Sequence, residues 1–206
     1  MLRPGFDLRP GMRVGLLGGS FNPAHEGHAH VARTALARLG LDRVVWLVSP
    51  QNPLKSRQGT ADLKRRMAGV RRVASGPRMI VSDLEARLGS SYTLDLVRTL
   101  RGRYPAVRFV WLMGADNLAS FHLWRGWQEI MRLAPICVVA RPGWALKGRT
   151  SRAARRFAWA RLPASEAKRL PQTAPPAWVY LTAPLNFASS TAIRATESAT
   201  TPEKGS

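Results

Sequence analysis

The string Gly18-Gly19-Ser20-Phe21-Asn22-Pro23-Ala24-His25-Glu26-Gly27-His28 holds the residues whose spacing most invites chemistry. Side chains at i and i+3 share one face of a helix, so His25 and His28 at a helix start can aim at one group. Imidazole N–H donors suit a phosphoryl group whose charge is redistributed during transfer. The adjacent glycines let the backbone approach a bulky anion, and a helix start offers unpaired N–H groups with partial positive charge. The loop is neither a P-loop, lacking GxxxxGK[ST], nor a GxGxxG fingerprint. On these residues alone two other readings stay open. His25 and His28, with the third histidine of HEGHAH, are close enough to be metal ligands, although the spacing is not HExxH and no Cys lies nearby. The pair also suits a structural role in capping and packing.

Four further places carry candidate chemistry. Ser189-Ser190-Thr191 before Ile193 and Arg194 reads as a cap and first helical turn, a second anion site in which the Arg194 guanidinium can grip phosphate oxygens in bidentate fashion. Lys55, in a loop after an apolar run, offers a point charge. Gly114-Ala115-Asp116 follows another apolar run, and Asp116 is either a ligand-side carboxylate or a helix cap. Trp124 and Trp127 have rings that can stack on a planar ligand while Arg141 pairs with a carboxylate. Trp127, at helical spacing with Ile130 and Met131, reads as core.

These loops need a scaffold, and the apolar patterning supplies one. Val14 to Leu17 reads as a buried strand stopping at Gly18-Gly19, and the apolar residues from Ala29 to Leu39 recur at helical spacing until Gly40 ends the helix. Val44 to Val48 is a second strand, Thr60 caps a helix to about Ala74, and Met79 to Val81 is a third strand. Tyr92 to Leu100 and Trp127 to Leu133 read as helices; Val107 to Met113, Ile136 to Ala140 and Trp178 to Leu181 read as strands. Gly143 to Pro176 reads as one helix plus loops over an edge. Strands separated by helices predict an α/β fold, a Rossmann-like doubly wound parallel sheet in a single domain, with ligands at the carboxyl ends of the strands. The expected division is an N-terminal extension over 1–12, the domain over 13–195 and a frayed tail over 196–206.

Composition sets outer limits. The 206 residues include 32 Lys plus Arg against 12 Asp plus Glu, a net +20, but the basic residues are spread along the chain without a nucleic-acid motif. Nucleic acid is therefore not expected as a partner, although the charge permits anionic ligands. The single cysteine, Cys137, sits in an apolar run and excludes an internal disulfide. No uncharged apolar run approaches the roughly 20 residues of a membrane span, and the first residues show no cleavage signal, so a cytoplasmic protein is expected.

GGSFNPAHEGHAHVA closely resembles the GGSFDPxHxGH signature of the HxGH nucleotidyltransferases, and Arg13 to Arg194 resembles the bacterial nicotinate-nucleotide adenylyltransferases. Two further motifs carry the resemblance: Ser49-Pro50-Gln51-Asn52-Pro53-Leu54-Lys55, and Ala188-Ser189-Ser190-Thr191-Ala192-Ile193-Arg194, like the family's ISSTxIR. Asn22 stands where Asp is commoner, and Leu54 replaces the usual His before Lys55.

The resemblance implies adenylyl transfer from ATP to nicotinate mononucleotide, with Mg²⁺ carried by ATP and no resident metal. It implies catalytic roles for His25, His28, Lys55 and Arg194. ATP is expected against Gly18, Gly19, Ser20, Phe21, His25, His28, Gly114, Asp116, Ser189, Ser190, Thr191 and Arg194. The mononucleotide is expected against Ser20, Lys55, Thr93, Trp124 and Arg141, with Glu85 and Tyr92 in the same family stretch as Thr93. Alternatives within the fold are nicotinamide mononucleotide or phosphopantetheine as acceptor; outside it, a non-catalytic basic nucleic-acid-binding protein. Oligomeric state is not legible.

Overall fold

The computed structural model describes residues 5–50, 61–90 and 92–182. Seven parallel strands form one sheet in the order β3-β2-β1-β4-β5-β7-β6. They are β1 (Arg13–Gly19), β2 (Arg43–Val48), β3 (Met79–Ser82), β4 (Arg108–Gly114), β5 (Ile136–Val139), β6 (Arg161–Leu162) and β7 (Trp178–Leu181). The helices are α1 (Glu26–Arg38), α2 (Leu63–Val73), α3 (Leu84–Leu88), α4 (Thr93–Arg103), α5 (Ala115–Ser120), α6 (Trp127–Leu133), α7 (Ala145–Arg149) and α8 (Arg152–Arg156).

Alternate residues of each central strand enter opposite layers. In β4, Phe109, Trp111 and Met113 join the core beneath α3 to α6 and α8, while Val110 and Leu112 join the core beneath α1 and α2. Both faces are covered, which is why the strands read as continuous apolar runs rather than alternating ones. The chain winds outward from β1 through β2 to β3 with α1 and α2 on one face, then returns to β4 beside β1 with α3 and α4 on the other. Right-handed crossovers require that change of face, and the reversal between β1 and β4 is where such sheets bind ligands.

The expected doubly wound sheet is present, with local corrections. β1 runs through Gly18 and Gly19 instead of stopping before them, because Gly18 pairs with Leu47 and Gly19 with Val48. A side chain at Gly18 would lie 2.5 Å from the Trp111 ring, so the glycine there makes room for packing. The α2 cap is Asp62, whose carboxylate accepts from the Arg65 N–H at 2.7 Å, not Thr60, which lies outside the described residues. Gly143 to Pro176 is more structured than one helix plus loops: α7, α8 and a 3₁₀ turn lead to the edge strand β6, and a 3₁₀ stretch over Ala164–Gln172 returns to β7. Two residues of strand and helices of five fall below the length at which hydrophobic periodicity registers. In the expected extension, Phe6, Leu8 and Met12 pack on the core. The expected tail lies outside the described residues. Among the described residues, no helix is long and apolar enough to cross a membrane.

Candidate active site

The loop from Ser20 to His25 joins β1 to α1 beside the switch point. Phe21, buried and at φ 47°, turns it under Trp46 at 5.4 Å between ring centroids and against the edge of His28 at 5.0 Å. A left-handed backbone on a bulky aromatic residue carries strain, held here by the packing of the ring. The Phe21 side chain thus shapes the loop from within the core. Asn22 closes it from the other side, its Oδ1 accepting from the Ala61 N–H at 3.3 Å. An Asp oxygen would accept the same bond, which accounts for the interchange noted in the sequence.

His25 is the α1 N-cap. Its Nδ1 accepts from the Gly27 N–H at 3.1 Å, and the Nδ1 of His28 accepts from the His25 N–H at 3.3 Å. The capping role that the sequence left open is therefore real, and it has a chemical consequence. With Nδ1 spent as an acceptor, such an imidazole, when neutral, carries its hydrogen on Nε2. The rings lie 3.9 Å apart at 38°. Burial, reinforced by the Arg141 guanidinium, pulls His25 down from 6.5 to about 4, so near neutrality it is an uncharged donor. The charges of Asp116 and Glu26 oppose that shift and are outweighed.

Across the switch point, Gly114 ends β4 and caps α5 with its backbone. Asp116 does not cap: its Oδ2 accepts from Arg141 Nη1 at 3.0 Å, in a pair whose side chains are 28% and 13% exposed. Among the described residues, Asp116 Oδ1 and Arg141 Nη2 are buried without hydrogen-bond partners. Buried polar atoms are nearly always satisfied, so such a pair beside a ligand crevice is suited to take a ligand's donors and acceptors. A side chain at Gly114 would meet both Asp116 and Arg141. Arg141 therefore stands with Asp116 and within the field of His25.

Thr93 and Trp124 form a second wall. Thr93 opens α4 and is half-buried; beside it the Tyr92 ring lies 4.6 Å under the Arg125 guanidinium. Leu94 fits against Gly126, where a Cβ would come within 2.5 Å of it. Trp124 is half-buried and meets Phe121 and Trp111 edge-on at 5.3 and 6.3 Å. Trp111 in turn covers Gly18, so this wall touches the glycine loop through one ring. Trp127 packs edge-on to Phe121 and Phe157, as core. Glu85 lies beneath, 4% exposed, and burial pushes its carboxyl up to about 7 against the opposing effect of a Ser49 hydrogen bond.

The structure thus brings together Gly18, Gly19, Ser20, His25, His28, Gly114, Asp116 and Arg141 at the switch point, with Thr93 and Trp124 on an adjoining wall. Lys55, Ser189, Ser190, Thr191 and Arg194 lie outside the described residues. Among the described residues, no group of three or more His, Cys, Asp or Glu could hold a metal ion. The sequence reading missed Arg66, 4% exposed and hydrogen-bonded to carbonyls of both phosphate-side loops. Within LKRRMAGVRR it looks like one more solvated arginine; its only signal is its place on the stripe with Leu63, Met67 and Val70.

Residues 16–196 match the family described as Cytidylyltransferase-like. A protein of Caulobacter sp. (strain K31) named "Probable nicotinate-nucleotide adenylyltransferase" is 69% identical over 183 residues, covering 89% of this chain and 97% of that protein. One of the same name from Cereibacter sphaeroides is 57% identical over 185 residues, covering 90% of this chain and 97% of that protein. Among solved structures, the Plasmodium falciparum nicotinic acid mononucleotide adenylyltransferase complexed with NaAD matches with a TM-score of 0.67 at 16% identity, over 89% of this chain and 83% of that one. That likeness bears on the fold.

Proposed function

The chain belongs to the cytidylyltransferase-like family and, within it, to the nicotinate-nucleotide adenylyltransferases; on that premise we propose how its site performs adenylyl transfer. ATP and nicotinate mononucleotide give nicotinate adenine dinucleotide and pyrophosphate, a step of NAD biosynthesis. One observation carries the assignment of the reacting centre: two imidazoles at the switch point, each with Nδ1 fixed by a backbone N–H of the α1 start, which leaves Nε2 to face a ligand.

An oxygen of the mononucleotide phosphate attacks the α-phosphorus of ATP. The new P–O bond forms as the bond from the α-phosphorus to the bridging oxygen breaks, and pyrophosphate leaves with that electron pair. Two anions react, so catalysis is positioning plus stabilisation of charge on the transferred group. His25 and His28 donate from Nε2 to the oxygens of that group without gaining or losing a proton. The N–H groups of the α1 start add partial positive charge. Cys137 is fully buried in β5, and burial pushes its thiol far up, so it is no covalent nucleophile.

Asp116 Oδ1 and Arg141 Nη2, buried atoms without partners among the described residues, are assigned to ATP, which moves Arg141, paired with Asp116, away from the acceptor contact that the resemblance implied; Thr93 and Trp124 are assigned to the acceptor, with Trp124 beside the pyridine ring. Lys55, Ser190 and Arg194 are assigned to the leaving pyrophosphate on the sequence resemblance. Mg²⁺ would come with ATP as part of the substrate and would offset the charge of the polyphosphate. A cytoplasmic location, where ATP is supplied, goes with this reading.

The test is pyrophosphate release with ATP, Mg²⁺ and a panel of acceptors. The expected result is the highest kcat/KM with nicotinate mononucleotide; preference for nicotinamide mononucleotide or phosphopantetheine overturns the acceptor. Absence of release with every acceptor, together with salt-sensitive duplex binding, overturns the enzyme reading.

A further inference from the structure

We propose that Arg66 is a positioning residue for this reaction, holding the loops after β1 and β2 in register with the two imidazoles. The inference rests on the proposed function. Arg66 sits in the first turns of α2 with its guanidinium among main-chain oxygens. Nε donates to the Ala61 carbonyl at 2.8 Å, Nη1 to those of Ser20 at 2.8 Å and Ser49 at 2.6 Å, and Nη2 to that of Pro50 at 3.0 Å. Four carbonyls from three chain segments thus converge on one planar fork. Ser49 is itself tied to β1 through its N–H, which donates to the Gly19 carbonyl at 3.0 Å.

The carbonyls of Ser20, Ser49 and Pro50 lie just past the ends of β1 and β2, where the ladder stops, and that of Ala61 lies just before α2, so each needs a donor from elsewhere. Arginine supplies several donors in a fixed plane; the three donors of lysine radiate from one atom and cannot span the same set. Burying a guanidinium is costly, and the usual compensation is a carboxylate. No carboxylate pairs with Arg66 among the described residues. Asp62, whose charge acts on Arg66, spends an oxygen capping the Arg65 N–H. A cation kept here on neutral partners does what a purely apolar plug would not. It fixes Ser20, in the loop that leads to His25, against Ser49 and Pro50, and it leaves positive potential at the edge where polyphosphate binds. Pro50 and Ala61 are also the described residues on either side of 51–60, the stretch in which Lys55 falls.

Arg66→Lys keeps charge and loses the fork; Arg66→Met keeps volume and loses both. The experiment measures kcat, the KM of each substrate and the thermal midpoint for the parent and both variants. Arg66→Lys is expected to lower kcat roughly 10- to 100-fold, the scale of a small misplacement in an active site. The KM for nicotinate mononucleotide should rise by much less than kcat falls, because Ser20 is the one described acceptor contact that Arg66 holds, and the Thr93 and Trp124 wall makes no hydrogen bond to it. Arg66→Met leaves the four carbonyls without this donor; it is expected to fold with a lowered thermal midpoint and to lose at least as much kcat. Either variant turning over within twofold of the parent overturns the proposal. So does a kcat loss matched by an equal rise in the acceptor KM, or failure of both variants to fold, each of which assigns Arg66 to the scaffold alone. A parent inactive with every acceptor instead overturns the proposed function, and this inference with it.

Discussion

The two walls of the cleft are built from different materials. The phosphate side is backbone, imidazole and partly buried charge: His28 is fixed by the N–H of His25 and His25 by that of Gly27, both at the α1 start, and Asp116 and Arg141 by each other. The acceptor side is aromatic, with Trp124 against Phe121 and Trp111 and with Tyr92 under Arg125. Hydrogen bonds to fixed donors hold atoms to fractions of an ångström, as charge stabilisation needs. Edge-on rings hold a surface and tolerate small slides, which suffices to bind a planar ring. The walls should therefore fail differently, the first in rate and the second in affinity.

His28→Ala should show the largest effect, a fall in kcat of roughly 10²- to 10³-fold with the acceptor KM little changed, since it removes a donor to the transferred phosphate. Steady-state kinetics on the purified variant check this, and wild-type turnover would erase the distinction between the walls. Asp116→Ala leaves the Arg141 guanidinium without its carboxylate, and breaking a partly buried pair is destabilising. It should lower kcat/KM for ATP about 10- to 100-fold and also lower the thermal midpoint. Trp124→Ala should raise the acceptor KM roughly tenfold with kcat within a few-fold, matching the loss of about 1.4 kcal/mol of ring contact.

Two pH effects sharpen the contrast further. Glu85 is raised to about 7 from 4.5 by burial, so its contribution to stability is present below 4.5 and lost as pH rises through 7. Glu85→Gln should thus raise the thermal midpoint by a few degrees at pH 8 and change it little at pH 5. His25 is lowered to about 4, so its contribution is present above 6.5 and lost as pH falls toward 4. The kcat/KM profile of the parent should accordingly show no acid limb near 6.5 from His25; a limb there, abolished by His25→Gln, would mean that the imidazole is not held neutral.

The phosphate side was the more legible in sequence, because its parts are local. Glycines, histidines and a helix start lie within eleven residues, and the strands on either side are apolar on both faces. Asp116 was ambiguous because a carboxylate at a helix start is a cap as often as a ligand; only the approach of Arg141, 25 residues away, settles that it pairs instead. Arg66 was invisible because its partners are carbonyls, which every residue possesses and no residue type announces.

By itself the sequence determined the alternation of strands and helices, the position of the anion loop and the pair of imidazoles, since each follows from spacing within one element. The tertiary structure decided which loops meet, that burial pulls the His25 pKa down, that Asp116 and Arg141 form an ion pair, and that Arg66 is buried beneath the site. Those depend on burial and on contacts between elements distant in the chain, and desolvation acts on a side chain only once the fold has closed around it.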